Sequence, residues 1–413
     1  MEFSVKIHKF VRIKNIESYM AYTPSLQPNT RIDVADILRG IAIGGIVLIH
    51  FIEQLNFYLF PEPINETMAV INQSVWDTTF FLLAGKMYAI FSMLFGLSFF
   101  IQHDNQAKVG VDFRPRFLWR MVLLMLFGLF DLLFYNGDIL TVYAVCGVLV
   151  VPFIRASNKV LVAATILFAL QPIELAYIIM GLIDPTTTSL DLGSGALFEG
   201  IIPAQSEGSI IDVAIKGIEN GFAVNYLWAI EHGRATQTIF LFLFGIYIGR
   251  KRLLYNEGDN LKVWKKVLIG SLAAFAVLFP LYKLVPGAID TPCIKESVKV
   301  MLNMWKNFSM MLFYVSGVVL LYYCTSARNF LIKIAPYGKM SLTNYLTQSI
   351  IGGFVFYNWG LGMFRYSGHL TSLLLGVLCI ALQYTFCRWW LKSHSHGPFE
   401  ALWRKLTWID KRG

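Results

Sequence analysis

Hydropathy, charge distribution and loop chemistry together predict an all-α, polytopic integral membrane bundle of about ten transmembrane helices, with both termini cytoplasmic. The 413 residues are 56% hydrophobic and 15% charged, whereas soluble domains carry about 25% charged residues. Mean hydropathy is +0.57. Apolar windows long enough to cross about 30 Å of hydrocarbon recur along the chain, and the segments between them alternate in charge.

In chain order, residues 1–30 form a basic arm (Lys6, Lys9, Arg12, Lys14), expected to be cytoplasmic or interfacial. No apolar stretch with a small-residue cleavage site follows directly, so the first span is predicted to be a retained anchor. Spans are predicted near 34–54, 84–102, 117–135, 138–155, 159–182, 236–250, 265–286, 304–325, 340–357 and 370–391. Segment 67–83 is expected to lie along the outer interface before a turn at Gly85. The membrane domain covers 31–408, and 392–413 makes a cytoplasmic tail.

The loops set the orientation. Arg114, Arg116 and Arg120, then Arg155 and Lys159, then Arg250, Lys251 and Arg252, and finally Arg328, Lys333 and Lys339 fall in alternate loops. The tail adds Arg388, Arg404 and Lys405, and excess Lys and Arg marks the cytoplasmic side. The large loop 183–235 instead carries Asp184, Asp191, Glu199, Glu207, Asp212, Glu219 and Glu231. Its second half, 210–229, is predicted as a helix on the outer surface. Both a cap over a cavity and a plain linker fit the loop.

The net charge of +9 does not imply a nucleic-acid partner, because the basic residues sit in short clusters between spans rather than in an aromatic-interleaved stripe. Cys146, Cys293, Cys324, Cys379 and Cys387 make no close pair, so neither a metal nor a disulfide framework is predicted. His394 and His396 alone are too thin a signal for a metal site.

Several polar residues stand where hydrocarbon is expected. Arg39 heads the first apolar run and His50 closes it, with Glu53 one turn on. A guanidinium in hydrocarbon costs roughly 2.5 kcal/mol or more, so a span that keeps one usually uses it. Eleven residues at about 100° each return to nearly the same helix face, roughly 16 Å along the axis. Arg39 is a candidate anion anchor, or a snorkelling residue paired with Asp36. His50, with Glu53 as neighbour, is a candidate general base or an interfacial histidine. Lys86 marks either a span boundary or a polar cavity. Asp138 is placed to cap the next helix or to serve a site. Asp131 and Glu174 are carboxylates near membrane depth, either of which is a candidate partner for Lys86 or Arg234. Arg234 lies on the outer side, where positive charge is disfavoured, and with Glu231 and His232 suggests a polar site at the outer mouth. Ser341, Asn344 and Gln348 share a helix face and need partners, a neighbouring helix or a polar substrate.

Arg39-Gly40, Lys86 with Phe91-Ser92 and Phe95-Gly96, Gly137-Asp138-Ile139-Leu140, the run from Met340 to Ser349, and Gly397-Pro398-Phe399-Glu400 with Trp403-Arg404 together resemble the YeiB-like membrane proteins, the DUF418 family. The resemblance covers about 31–408. It implies kinship with a transmembrane acyltransferase superfamily that includes the acyltransferase-3 proteins and the lysosomal heparan glucosaminide acetyltransferase. These pass an acyl group from cytoplasmic acyl-CoA to a hydroxyl or amine on the far side. An arginine and a histidine with ten residues between them on the first helix mark the acyltransferase-3 branch, and Arg39 and His50 have that spacing.

The expected function is therefore acyl transfer in a bacterial inner membrane, with acyl-CoA as donor, a small-molecule or glycan acceptor, and no metal. His50 and Glu53 would activate the acceptor, while Arg39, Lys86, Ser92, Asp138, Arg234, Asn344 and Gln348 would bind donor or acceptor. A transporter or exporter of a small anionic solute is the alternative, and a membrane scaffold the third reading. Lipid is an expected partner and a homodimer is possible.

Overall fold

The computed structural model describes residues 27, 29 and 31–409, and among them there is helix but no strand. The expected arm at 1–30 lies, but for residues 27 and 29, outside the described residues. The bundle opens with α1 (Asp33–Ile52), α2 (Glu66–Leu83), α3 (Lys86–Ala107), α4 (Arg114–Asp131), α5 (Leu140–Val150), α6 (Asn158–Ala169) and α7 (Pro172–Ile183). The short helices α8 (Ser194–Glu199), α9 (Ile202–Ser206), α10 (Ile210–Lys216) and α11 (Phe222–Glu231) build the large loop. Then come α12 (Arg234–Arg250), α13 (Asn260–Leu284), α14 (Pro292–Cys324), α15 (Arg328–Leu331), α16 (Ala335–Lys339), α17 (Ser341–Phe356), α18 (His369–Trp390) and α19 (Pro398–Thr407).

Every predicted span falls on helix, but not every one is a full-length crossing. Five stretches are long and apolar enough to cross a membrane: Asp33–Ile52, Glu66–Ala107, Asn260–Ala288, Pro292–Cys324 and His369–Trp390. The pair α6 and α7, bent by 51°, makes a sixth if taken as one span. The break has a local cause. Pro172 lacks the N–H that a continuing helix needs, and Gln171 before it takes a left-handed φ of +54°. The remaining four windows are α4, with Arg114, Arg116 and Arg120 in its first turns, and the 11-, 17- and 16-residue helices α5, α12 and α17. Most of α12 is buried among its neighbours, and a helix screened from lipid need be neither long nor wholly apolar.

Segment 67–83 is the C-terminal bulk of α2, whose apolar stretch runs on into α3 with a break at Gly85 (φ +78°). Of its residues only Thr79 is buried. It leans on the start of α18, where Asn72 Oδ1 accepts from the Leu370 amide at 3.0 Å and Trp76 meets His369 at 4.7 Å.

At the centre, α3 crosses α12 so closely that side chains are excluded. A Cβ on Gly96 would lie 2.1 Å from the Phe242 carbonyl oxygen, and one on Gly245 2.0 Å from that of Met93. Small residues at such a crossing let two backbones approach. The bundle has a basic end, where Asp33, Arg114, Arg250 and the tail meet, and a loop end roofed by α8–α11. The helix predicted at 210–229 is present as α10 and α11, joined by a π turn at Gly217–Gly221. At the basic end α19 packs beside α4, and Glu400 reaches the first turn of α17. Its Oε1 accepts from the Leu342 and Thr343 amides (2.7 and 3.1 Å), and Oε2 from the Thr343 hydroxyl (2.6 Å). A tail carboxylate thus satisfies the orphan N–H groups of a core helix.

Candidate active site

Under the roof lies a cavity of about 1070 Å³, large enough for a drug-sized ligand, which occupies pockets of about 300–1,000 Å³. His50 and Glu53 at the end of α1, Lys86 at the start of α3, Asp138 before α5 and Arg234 at the start of α12 all line it. Residues of the large loop, among them Phe198, Ile202 and Trp228, close it from above, so the loop is a cap and not a linker.

His50 has the most informative surroundings. Gln348 Oε1 and Nε2 lie 3.2 and 2.9 Å from its Nδ1. Behind them, Gln348 Nε2 donates to Ser349 Oγ (3.2 Å), which donates to Asp131 Oδ2 (3.1 Å). Gln348, Ser349 and Asp131 are all fully buried. One proton assignment satisfies the chain. His50 Nδ1–H donates to Gln348 Oε1, and the amide hands its own N–H on to Ser349. The reverse leaves Oε1 buried with no donor, which costs about 1–3 kcal/mol. The satisfied arrangement leaves the lone pair of His50 on Nε2, the nitrogen a general base needs free.

The carboxylates of the cavity are already engaged. Asp138 accepts from the amides of Leu140 (3.0 Å) and Thr141 (2.8 Å), so it caps α5 as its position suggested, and it is also bonded to Tyr345. Glu53 is bonded to the Tyr58 phenol. The cations are held by rings. Lys86 Nζ is 5.7 Å from the Phe81 ring centre, and the Arg234 guanidinium lies 5.2 Å from Tyr88 and 5.9 Å from Trp228 while donating to Gln237 (2.9 Å). Asp131 and Glu174, proposed above as partners for these cations, are elsewhere: Asp131 binds Ser349, and Glu174 meets Ser297. Glu231 is bonded to Ser194 and the Leu192 amide, fastening the roof, and burial lowers His232 below the ordinary imidazole value.

Four candidates lie outside this cavity: Gln348, fully buried behind His50 and bonded to it rather than open to a ligand, and three others. Arg39 pairs with Asp36 (2.7 Å), donates to Ser98 Oγ (2.7 Å) and lines a separate cleft of about 130 Å³ with Arg120 towards the basic end. Ser92 is buried, bonded to the Tyr88 carbonyl and the Tyr143 hydroxyl. Asn344 donates to the Tyr337 carbonyl (2.9 Å) and receives Cys387 Sγ, so it joins helices. Tyr345 borders both the cavity and the cleft, and its hydroxyl receives the Ile139 amide at 3.1 Å. It is the lining residue the two share. Among the described residues, no group of three His, Cys, Asp or Glu side chains gathers to hold a metal.

Sequence reasoning missed Tyr345, Ser349, Lys283 and Lys306. Lys306 carried a usable signal, a lysine inside the 33-residue apolar α14. Ser349 carried none, since serine is common in membrane helices.

Residues 248–410 match the family described as protein of unknown function DUF418. Along nearly its whole length the chain is similar to YxaH of Bacillus subtilis, at 28% identity over 94% of this chain and 97% of that one. It is similar to YeiB of Escherichia coli at 26% identity, over 90% and 95%. The chain belongs to the YeiB-like DUF418 family. Residues 31–191 of this DUF418 protein also match the catalytic region of heparan-alpha-glucosaminide N-acetyltransferase, so its first half is acetyltransferase-like. That half carries Arg39, His50, Glu53, Lys86, Asp131 and Asp138. Of these, His50, Glu53, Lys86 and Asp138 line the cavity. No solved structure matches the chain.

Proposed function

We propose that this DUF418 protein is a transmembrane acyltransferase that moves an acyl group from cytoplasmic acyl-CoA to a hydroxyl or amine at the loop end. The observation that carries the reading is His50, which faces a roofed cavity while Gln348, Ser349 and Asp131 hold its Nδ1. The basic end is cytoplasmic by the positive-inside rule, with the bundle seated in a bacterial inner membrane and both termini inside. In the reaction, His50 Nε2 takes the proton of the acceptor as its oxygen or nitrogen attacks the thioester carbon. Lys86 and Arg234 stabilise the tetrahedral oxyanion. The intermediate collapses, the C–S bond breaks, and the departing thiolate takes the proton from His50. Arg39 and Arg120 guide the donor at the basic end. Their cleft is too small in this state for a whole cofactor, so only a thin acyl-pantetheine arm would pass, and Tyr345 must swing aside.

The two recesses, which share Tyr345 in their linings, also favour a second reading, an exporter of a small anionic solute. One experiment separates them: purified protein in nanodiscs is incubated with acetyl-CoA and a pool of amine and hydroxyl acceptors, and free thiol release is followed. Acyl transfer predicts thiol release that His50→Ala abolishes. Absence of release, with no acyl-CoA binding in a thermal-shift assay, would point to transport.

A further inference from the structure

One wall of the cavity is cationic. Besides Lys86 and Arg234 it holds Lys283, at the end of α13, and Lys306, within α14. None of the four makes an ion pair among the described residues. Lys86, Lys306 and Arg234 lie close enough to repel one another. Aromatic rings are what they have: Phe81 for Lys86, Phe279 for Lys283 (6.0 Å) and Tyr282 for Lys306 (3.9 Å). Glu53 and Asp138 are engaged as described, and Asp77 accepts from Gln73 (3.1 Å). Glu199 lines the roof. Glu53 lies within electrostatic reach of Arg234, but cation–ring contacts do not neutralise charge, so the lysines of this wall lack a paired anion.

The same wall reaches the periphery of the bundle. It is formed by α2, which buries only Thr79, and by α13, which buries only Trp264 and Ser271 against α14. These two peripheral helices meet through Phe81 against Phe275 and Phe279, at 6.1 and 5.8 Å between ring centres. Phe81 is 43% exposed. A doorway of rotatable phenyl rings facing hydrocarbon, with lysines immediately inside, has the polarity of an amphiphile, apolar outside and anionic within. A soluble anion needs no apolar doorway.

We propose that this wall is a binding site for a phosphate-headed membrane lipid, which enters between α2 and α13 from the leaflet at the loop end. The phosphate rests against Lys283 and Lys306, which leaves Lys86 and Arg234 to the reacting carbonyl, and the tail lies along Phe81, Phe275 and Phe279. Resting on the acyl-transfer reading, this names the acceptor class: a hydroxyl or amine on the head group of an anionic lipid, presented to His50.

The test needs no acyl donor, so it stands or falls apart from the transfer reaction. The full-length protein is freed of lipid in detergent and its melting temperature is followed with added phosphatidylcholine, phosphatidylglycerol, inorganic phosphate or ADP. Phosphatidylglycerol is expected to raise it and the other three to leave it unchanged. Lys283→Gln with Lys306→Gln should weaken phosphatidylglycerol binding about thirtyfold, as two basic groups at about 1 kcal/mol each predict. Lys283→Gln alone, at an exposed position, should fold normally and weaken it about fivefold. Equal shifts with both lipids, a shift with phosphate or ADP of the same size, or full binding by the double variant would each overturn the proposal.

Discussion

Replacing Ser349 by alanine tests the polar chain behind His50 more sharply than replacing His50 itself. The substitution removes one hydroxyl, buried and remote from the cavity, that receives Gln348 Nε2 at 3.2 Å and donates to Asp131 Oδ2 at 3.1 Å. Asp131 Oδ1 already lacks a partner, so its carboxyl is left with none. A buried polar group stripped of its hydrogen bond costs about 1–3 kcal/mol, and the variant should lose stability in that range. The effect on rate is smaller and has a ceiling. Without Ser349 the Gln348 amide is free to turn and offer its N–H to His50 Nδ1, which puts the imidazole proton on Nε2. One neutral hydrogen bond is worth about 0.5–1.5 kcal/mol, so the misplaced proton slows acyl transfer by at most about tenfold. His50→Ala removes the base and should cost about 10²–10⁴. In thiol-release assays on nanodisc-embedded protein, Ser349→Ala should therefore lie between wild type and His50→Ala, and the double variant should be no slower than His50→Ala alone. A Ser349→Ala protein that is folded and fully active, or one as slow as His50→Ala, would refute the proton assignment.

Other perturbations probe other parts of the molecule. Gly245→Ala places a Cβ 2.0 Å from the Met93 carbonyl; about 1–3 kcal/mol of stability should be lost by overpacking, seen as a lower unfolding midpoint. Arg39→Ala should leave stability nearly unchanged, because Asp36 keeps Arg31 at 2.7 Å, yet weaken acyl-CoA binding at least about tenfold by calorimetry. Equal affinity would remove the anchor role. Tyr345→Ala should join the two recesses, so that a membrane-impermeant thiol reagent applied at the loop end labels a cysteine placed at Ser98, with Cys324 replaced. Protection as in the parent would mean that Tyr345 does not divide them. Glu400→Ala should cost about 0.5–2 kcal/mol, as loss of a helix cap does, with exchange of the Leu342 and Thr343 amides rising first.

Hydropathy located the helices well, because a membrane span must be apolar whatever it packs against. It overstated the helix at α5, predicted as 138–155 and observed as Leu140–Val150, and slightly that at α17, while α12 begins two residues before its predicted span. Of the candidate residues, those at the loop-side ends of helices (His50, Lys86, Asp138, Arg234) came together, since charge retained at a span boundary has few places to go but a shared cavity. Asn344 and Ser92 did not, because an amide or hydroxyl inside a span is equally well satisfied by the next helix. Lys306 escaped notice for a related reason: it is the one lysine of the predicted span 304–325 and barely lowers that span's apolar average, although its cost in hydrocarbon is local. The Gln348–Ser349–Asp131 chain joins α17 to α4 across more than two hundred residues, and no spacing within one helix signals such a meeting.

The Glu400 contact ties the order of synthesis to the competence of the site. The helix that bears Tyr345, Gln348 and Ser349 leaves the ribosome about fifty residues before the carboxylate that caps it. Until that carboxylate emerges, the first turn of α17 has unsatisfied amides beside α4, and the support behind His50 stands on a frayed end. A nascent chain interrupted after α18 would hold nearly every residue of the cavity and still lack the clamp that sets them. Through this contact a segment made late completes a site assembled from segments made early.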